Sequence, residues 1–111
     1  MTVRSALLNA AVAVHRETWD EHVALRHPEV LPFFDYVVGT IEAPEMIARD
    51  ARHTERVYFL RRWPDEMGFP ATWLHVLVLL PPCAMEGRFL SAWASRRIGG
   101  REIIWRASDQ N

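Results

Sequence analysis

At 111 residues, half of them hydrophobic, the chain is long enough for one domain with a real core and too short for two. A formal net charge of −1 at pH 7 excludes a uniformly basic nucleic-acid binder, and the single cysteine, Cys83, excludes an intrachain disulfide framework and makes a cytoplasmic protein the default. No run is long and apolar enough to span a membrane, so no membrane partner is expected.

In chain order, Ala6 to Val14 resembles a signal peptide only faintly, since Asn9 interrupts the apolar run and His15 and Arg16 follow at once. The segment Ala10 to His15 reads instead as a short strand. Thr18 followed three residues later by Glu21 fits a capping box, which starts a helix at about Trp19. Pro28 disfavours the α conformation at His27 and ends that helix there. A second helix begins around Pro32 and runs through "FFDYVVGTIE", with Phe33, Tyr36, Val37 and Ile41 on one apolar face. After Pro44, "EMIARD" reads as a short helical turn or loop.

From Arg56 the pattern changes to strands: "RVYFLRRW", "TWLHVLVLL", "RFLSAWAS" and "REIIWRA", separated by the turns "PDEMGFP", "PPCAMEG" and "RIGG". Short connections make these an antiparallel meander. The expected fold class is α+β, a single domain over residues 1–111 with N-terminal helices packed on one face of a four-stranded antiparallel sheet, five-stranded if the N-terminal strand joins it. The other face is left open for function.

Chemistry-bearing residues concentrate in "TWDEHVALRHPE", Thr18 to Glu29. His22 and Arg26, four apart, share a helix face, whereas His22 and His27, five apart, diverge by roughly 140° on an α-helix. That is a poor metal pair, and no Cys/His cluster supplies further ligands, so neither a metal nor a cofactor is expected. What remains is an imidazole beside a permanent cation, with a second imidazole at the helix end: equipment for phosphate chemistry. On the strand "RFLSAWAS", alternation places Phe89, Ser91, Trp93 and Ser95 on one face and Leu90, Ala92 and Ala94 on the other. Ser91 and Trp93 then offer a hydroxyl for a phosphate oxygen and an indole for a base.

The near-neutral total charge hides an asymmetry, five arginines against nine acids in residues 1–55 and eight against five in residues 56–111, and no lysine anywhere. A GC-rich genome favouring Arg codons is the expected cause of the missing lysines, and the guanidinium fork still suits phosphate. Arg61 and Arg62 alternate across their strand, so one faces the open side. Arg96, just past Ser95, joins them as a substrate-binding candidate. His75, inside "WLHVLVLL", reads as a satisfied core histidine, and His53 and His15 as loop residues.

The succession "TWDEHVALRHPE", "TIEAPEMIARD", "RVYFL", "WLHVLVLLP" and "RFLSAWASRRI" resembles the phage-associated branch of the barnase–EndoU–colicin–RelE superfamily of small ribonucleases, over roughly Ala13 to Arg106. In that branch a W-x-x-H-I-x-x-x-H-P-E-like helix end is followed by a helix, a T-x-x-x-P-D/E-x-I segment, paired strands and a Thr-Ala-Tyr-like strand, which here reads Ser91–Ala92–Trp93. The resemblance implies a metal-independent endoribonuclease, a toxin or phage effector with RNA as substrate and a neutralising antitoxin protein as partner. It implies His22 and His27 as acid and base in either order, Arg26 as phosphate clamp, Ser91 as oxyanion donor and Trp93 as base-stacking residue. The competing class is a non-catalytic RNA- or protein-binding module on the same fold, such as a regulator, an immunity protein or a degenerate nuclease. The indole in place of a phenol favours that class, because it has no oxygen through which to move a proton.

Overall fold

The computed structural model describes residues 1–64 and 71–110. Seven strands form one sheet: β1 (Thr2–Ser5), β2 (Ala10–Ala13), β3 (Met46–Asp50), β4 (Arg56–Arg62), β5 (Trp73–Leu79), β6 (Glu86–Ser95) and β7 (Arg101–Arg106), in the order β1-β2-β6-β5-β4-β3-β7. Between β2 and β3, a π-helical segment (Thr18–Val23) continues into an α-helical turn (Ala24–Arg26), together α1. A 3₁₀ stretch, Pro28–Phe33, then leads into α2 (Phe34–Glu42). Most of the turn "PDEMGFP" lies outside the described residues.

The four- or five-stranded antiparallel sheet expected above is therefore corrected to a mixed seven-stranded one. The N-terminal segment folds back as a hairpin, β1 on β2, through a turn in which Asn9 takes a left-handed conformation (φ 50°) that a short polar side chain tolerates. β2 then lies parallel to the start of β6, Ala11 opposite Glu86. "EMIARD" is neither turn nor loop: Met46–Asp50 is a full strand because β4 and β7 flank it and pair with its backbone on both sides.

β7 does not extend the meander. It crosses to the far side of β3, although only residues 96–100 connect it to β6. Four strand spacings on a flat sheet come to about 19 Å, near the full reach of that connection. The sheet must curl, and it forms a half-barrel with an inner face.

The helices cover the opposite face. Val37 and Ile41 of α2 are buried as the apolar stripe requires, with Phe33 and Tyr36 packed at the margin of the same core. Phe59, Val76, Phe89 and Ala92 meet them from the sheet, and Trp19 stands edge-on to Phe34 and Phe89 at 4.8 and 6.1 Å. Phe89 is a correction to simple alternation: the register shifts so that Ser91 faces Leu77 while Phe89 faces Val78, which makes Leu90 a bulge. One extra residue turns Phe89 into the helix-side core and leaves Ser91 and Trp93 on the inner face.

Candidate active site on the inner face

Helix α1 runs beside β6 beyond the point where β2 stops pairing with it. The expected capping box does not form: Thr18 is already inside the helix, and the cap position, Glu17, makes no side-chain hydrogen bond. The first turn is instead π-wound, with the Ala24 amide donating to the Trp19 carbonyl. The π winding ends at Val23, and the turn between the two histidines, Ala24–Arg26, is α-helical, with the His27 amide donating to the Val23 carbonyl. Both histidines nonetheless meet β6, at different points along it. His22 lines a cleft with Ser91, Leu77, Leu90 and Arg56, and the His27 ring lies 5.8 Å from that of Trp93. His27 leaves the helix at φ −135°, ψ 61°, as the following Pro28 demands, and its Nδ1 is 3.8 Å from a Glu29 carboxylate oxygen.

The cleft holds about 660 Å³, room for one nucleotide. Ser91 in it is 5% exposed, and its hydroxyl has no partner among the described residues. Glu17 and Glu21 line the same cleft. Another cleft, lined by Met1, Val14, Arg16, Trp19, Asp20 and Phe34, carries neither imidazole nor hydroxyl.

No family model, curated protein or solved structure matches the chain.

Trp93 is not a free stacking platform. His75 on β5 stacks on it nearly parallel (5.3 Å, 12°), His27 leans on it, and Tyr58 on β4 meets it edge-on at 6.2 Å. The indole, half-buried, is thus bordered by three protein rings.

Arg101 is the cation that sequence reasoning missed. From β7 its guanidinium reaches across the curl, 3.6 Å over the Tyr58 ring and 6.0 Å from the Trp93 ring, and donates from Nη1 to His75 Nδ1 at 2.8 Å. Burial lowers its pKa from the ordinary value, while Tyr58 and Asp50 act in the other direction, and no carboxylate forms a salt bridge with it among the described residues. Asp50, whose carboxylate accepts the His53 and Arg52 amides and is held below the usual range by them, lies behind Tyr58. Nothing local marks Arg101, since its role depends on β7 lying opposite β5 across the curl. Arg56, at the start of β4 and in the cleft with Ser91, was also missed.

The arginines named from sequence lie elsewhere. Arg26 is exposed and makes no hydrogen bond or ion pair among the described residues, whereas Arg56 lines the cleft and Arg101 bonds His75. Arg61 lies over the Tyr36 ring on the helix side, Arg62 over Trp73 at the far end of the inner face, and Arg96 is exposed beyond β6. His75 is fully buried with both ring nitrogens partnered, and burial is the main cause that lowers its pKa to about 4. Because the unfolded chain binds that proton from about pH 6.5 downward and the folded chain only near 4, stability is complete above 6.5 and falls by about 3 kcal/mol as pH drops to 4. Urea titrations at stepped pH should show this slope in the natural protein and a flattened one in His75→Gln. Among the described residues no cluster of three or more metal-ligating side chains occurs, and no helix is long and apolar enough to cross a membrane.

Proposed function

We propose that the inner face cleaves RNA by internal transphosphorylation. One imidazole of the His22/His27 pair takes the proton from a ribose 2′-OH, the oxygen attacks the adjacent phosphorus, and the other imidazole protonates the departing 5′-oxygen. Arg101 and Arg56 hold the phosphate, whose negative charge grows in the crowded intermediate, and Ser91 donates its unspent hydrogen bond. Trp93 and Glu29 orient His27, as a third group orients the base in other acid–base sites. DNA lacks the attacking hydroxyl and is not a substrate.

The observation that carries this reading is the arrival of two imidazoles from one short helix on the strand face that bears Ser91 and Trp93, with two guanidinia nearby. The purified protein, incubated with single-stranded RNA in EDTA, is expected to cleave it. Activity lost in EDTA and restored by Zn²⁺ or Mg²⁺ would sink the mechanism.

Ser91 gives a second check. Its buried, unpartnered hydroxyl leaves a hydrogen bond unmade, at about 1–3 kcal/mol for such a group. Ser91→Ala should therefore melt at the same temperature or higher, while its turnover falls about tenfold with RNA affinity unchanged, as for a hydrogen bond made only in the transition state. Thermal melting and single-turnover rates on the same preparation separate the two effects.

One observation favours a non-catalytic binding module instead: Glu17 and Glu21 line the cleft, and their charge opposes a phosphate there. Absence of both RNA binding and RNA cleavage would select it, as a module for a protein partner.

A further inference from the structure

His75 has no place in the mechanism above, yet it touches both groups the site depends on. It is fully buried on β5, and its two ring nitrogens are spent differently. Nε2 lies 3.1 Å from the Ser95 carbonyl, which can only accept, so the proton must sit on Nε2. Nδ1 is then a bare lone pair, and the Arg101 Nη1 donor points at it from 2.8 Å. The ring face stacks on Trp93, which in turn contacts His27.

We propose that His75 is the positioning residue of the inner face: through its Nδ1 lone pair it fixes the Arg101 guanidinium over the Tyr58 ring as an anion-binding group. The tautomer is set from behind, by a backbone carbonyl at the end of β6, so the orientation of the cation is built into the strand pairing. Without the acceptor, Arg101 regains rotamer freedom and loses its hydrogen bond to the His75 ring. Stacking over Tyr58 fixes the height of the guanidinium. The assignment rests on the ribonuclease proposal only in taking the anion to be an RNA phosphate.

Sulfate serves as the probe, so the test needs no catalysis. Sulfate titrated into the natural protein should shift the Arg101 side-chain N–H resonances in an NMR spectrum. His75→Phe, which keeps a ring against Trp93 and removes the acceptor, should weaken sulfate binding about tenfold. His75→Gln, whose amide can accept from Arg101 and donate to Ser95, should recover most of that loss. In an Arg101→Ala background, which abolishes the site, His75→Phe should cost nothing more. Equal sulfate affinity in the natural protein and a folded His75→Phe, no sulfate response at Arg101, or the same His75→Phe loss without Arg101 would each overturn the assignment. Should neither variant fold, the ¹⁵N spectrum of the natural protein decides: a proton on Nε2 supports the assignment, and a proton on Nδ1 overturns it, since that nitrogen then has no lone pair to accept with. Sulfate binding with this pattern in a protein that cleaves no RNA would leave the positioning role standing and remove the ribonuclease one.

Discussion

Replacing either His22 or His27 with alanine is expected to lower turnover on RNA by about 10²–10⁴-fold, the range for loss of a general acid or base, with the fold intact. Neither ring belongs to the core: His22 is half-buried at the cleft wall, and His27 rests against Trp93 with its side chain 32% exposed. Stability should accordingly change little while the chemical step collapses. In the proposed mechanism the pair acts as a unit, one ring taking a proton as the other gives one, so the double variant should be little worse than the worse single variant. Single-turnover rates together with near-ultraviolet circular dichroism on all three variants test this. Near-normal rates in both folded single variants would return the histidines to ordinary surface residues.

Arg101→Ala should lower turnover by about 10²–10³-fold, the range for a preorganised group aimed at developing charge. The guanidinium is prepared for that work: it is half-buried, stacked on Tyr58, bonded to His75 and free of any carboxylate salt bridge among the described residues. Arg101→Lys should recover less than about a tenth of the loss, because an ammonium has neither the planar face for Tyr58 nor the fork for a phosphate. By contrast Arg26→Ala, at an exposed and unpaired position, should change turnover less than about threefold through long-range charge alone. Comparison of kcat and KM for the three variants checks this. A larger loss for Arg26→Ala than for Arg101→Ala would move the phosphate back to the helix.

The strands β4, β5 and β6 were legible in the sequence because runs such as "RVYFL" and "WLHVLVLL" are long, apolar and β-branched or aromatic. β3 was not, since "MIARD" has one β-branched residue and exists as a strand only because β4 and β7 both pair with it. The place of β7 was hidden too: local pattern tells a strand from a helix but not which strand it pairs with, and that choice follows from the curl. His22, His27, Ser91 and Trp93 could be picked out as chemical types, whereas their placement on one face depends on α1 running beside β6 and on a bulge at Leu90. The bulge shifts the phase of its strand by one residue, and a regular strand period cannot foresee it. The place of Arg101 follows from the curl of the sheet, a property of the whole chain.

The central claim is that this face uses a ribose 2′-OH as its nucleophile. It is tested most directly with a DNA oligonucleotide containing a single ribonucleotide, incubated with the protein in EDTA and analysed by mass spectrometry. The expected result is one cut, immediately 3′ to the ribose, leaving a 2′,3′-cyclic phosphate on one fragment and a 5′-hydroxyl on the other, with no product from the all-deoxy strand. Cleavage at deoxy positions, or ends that carry a 5′-phosphate, would contradict it.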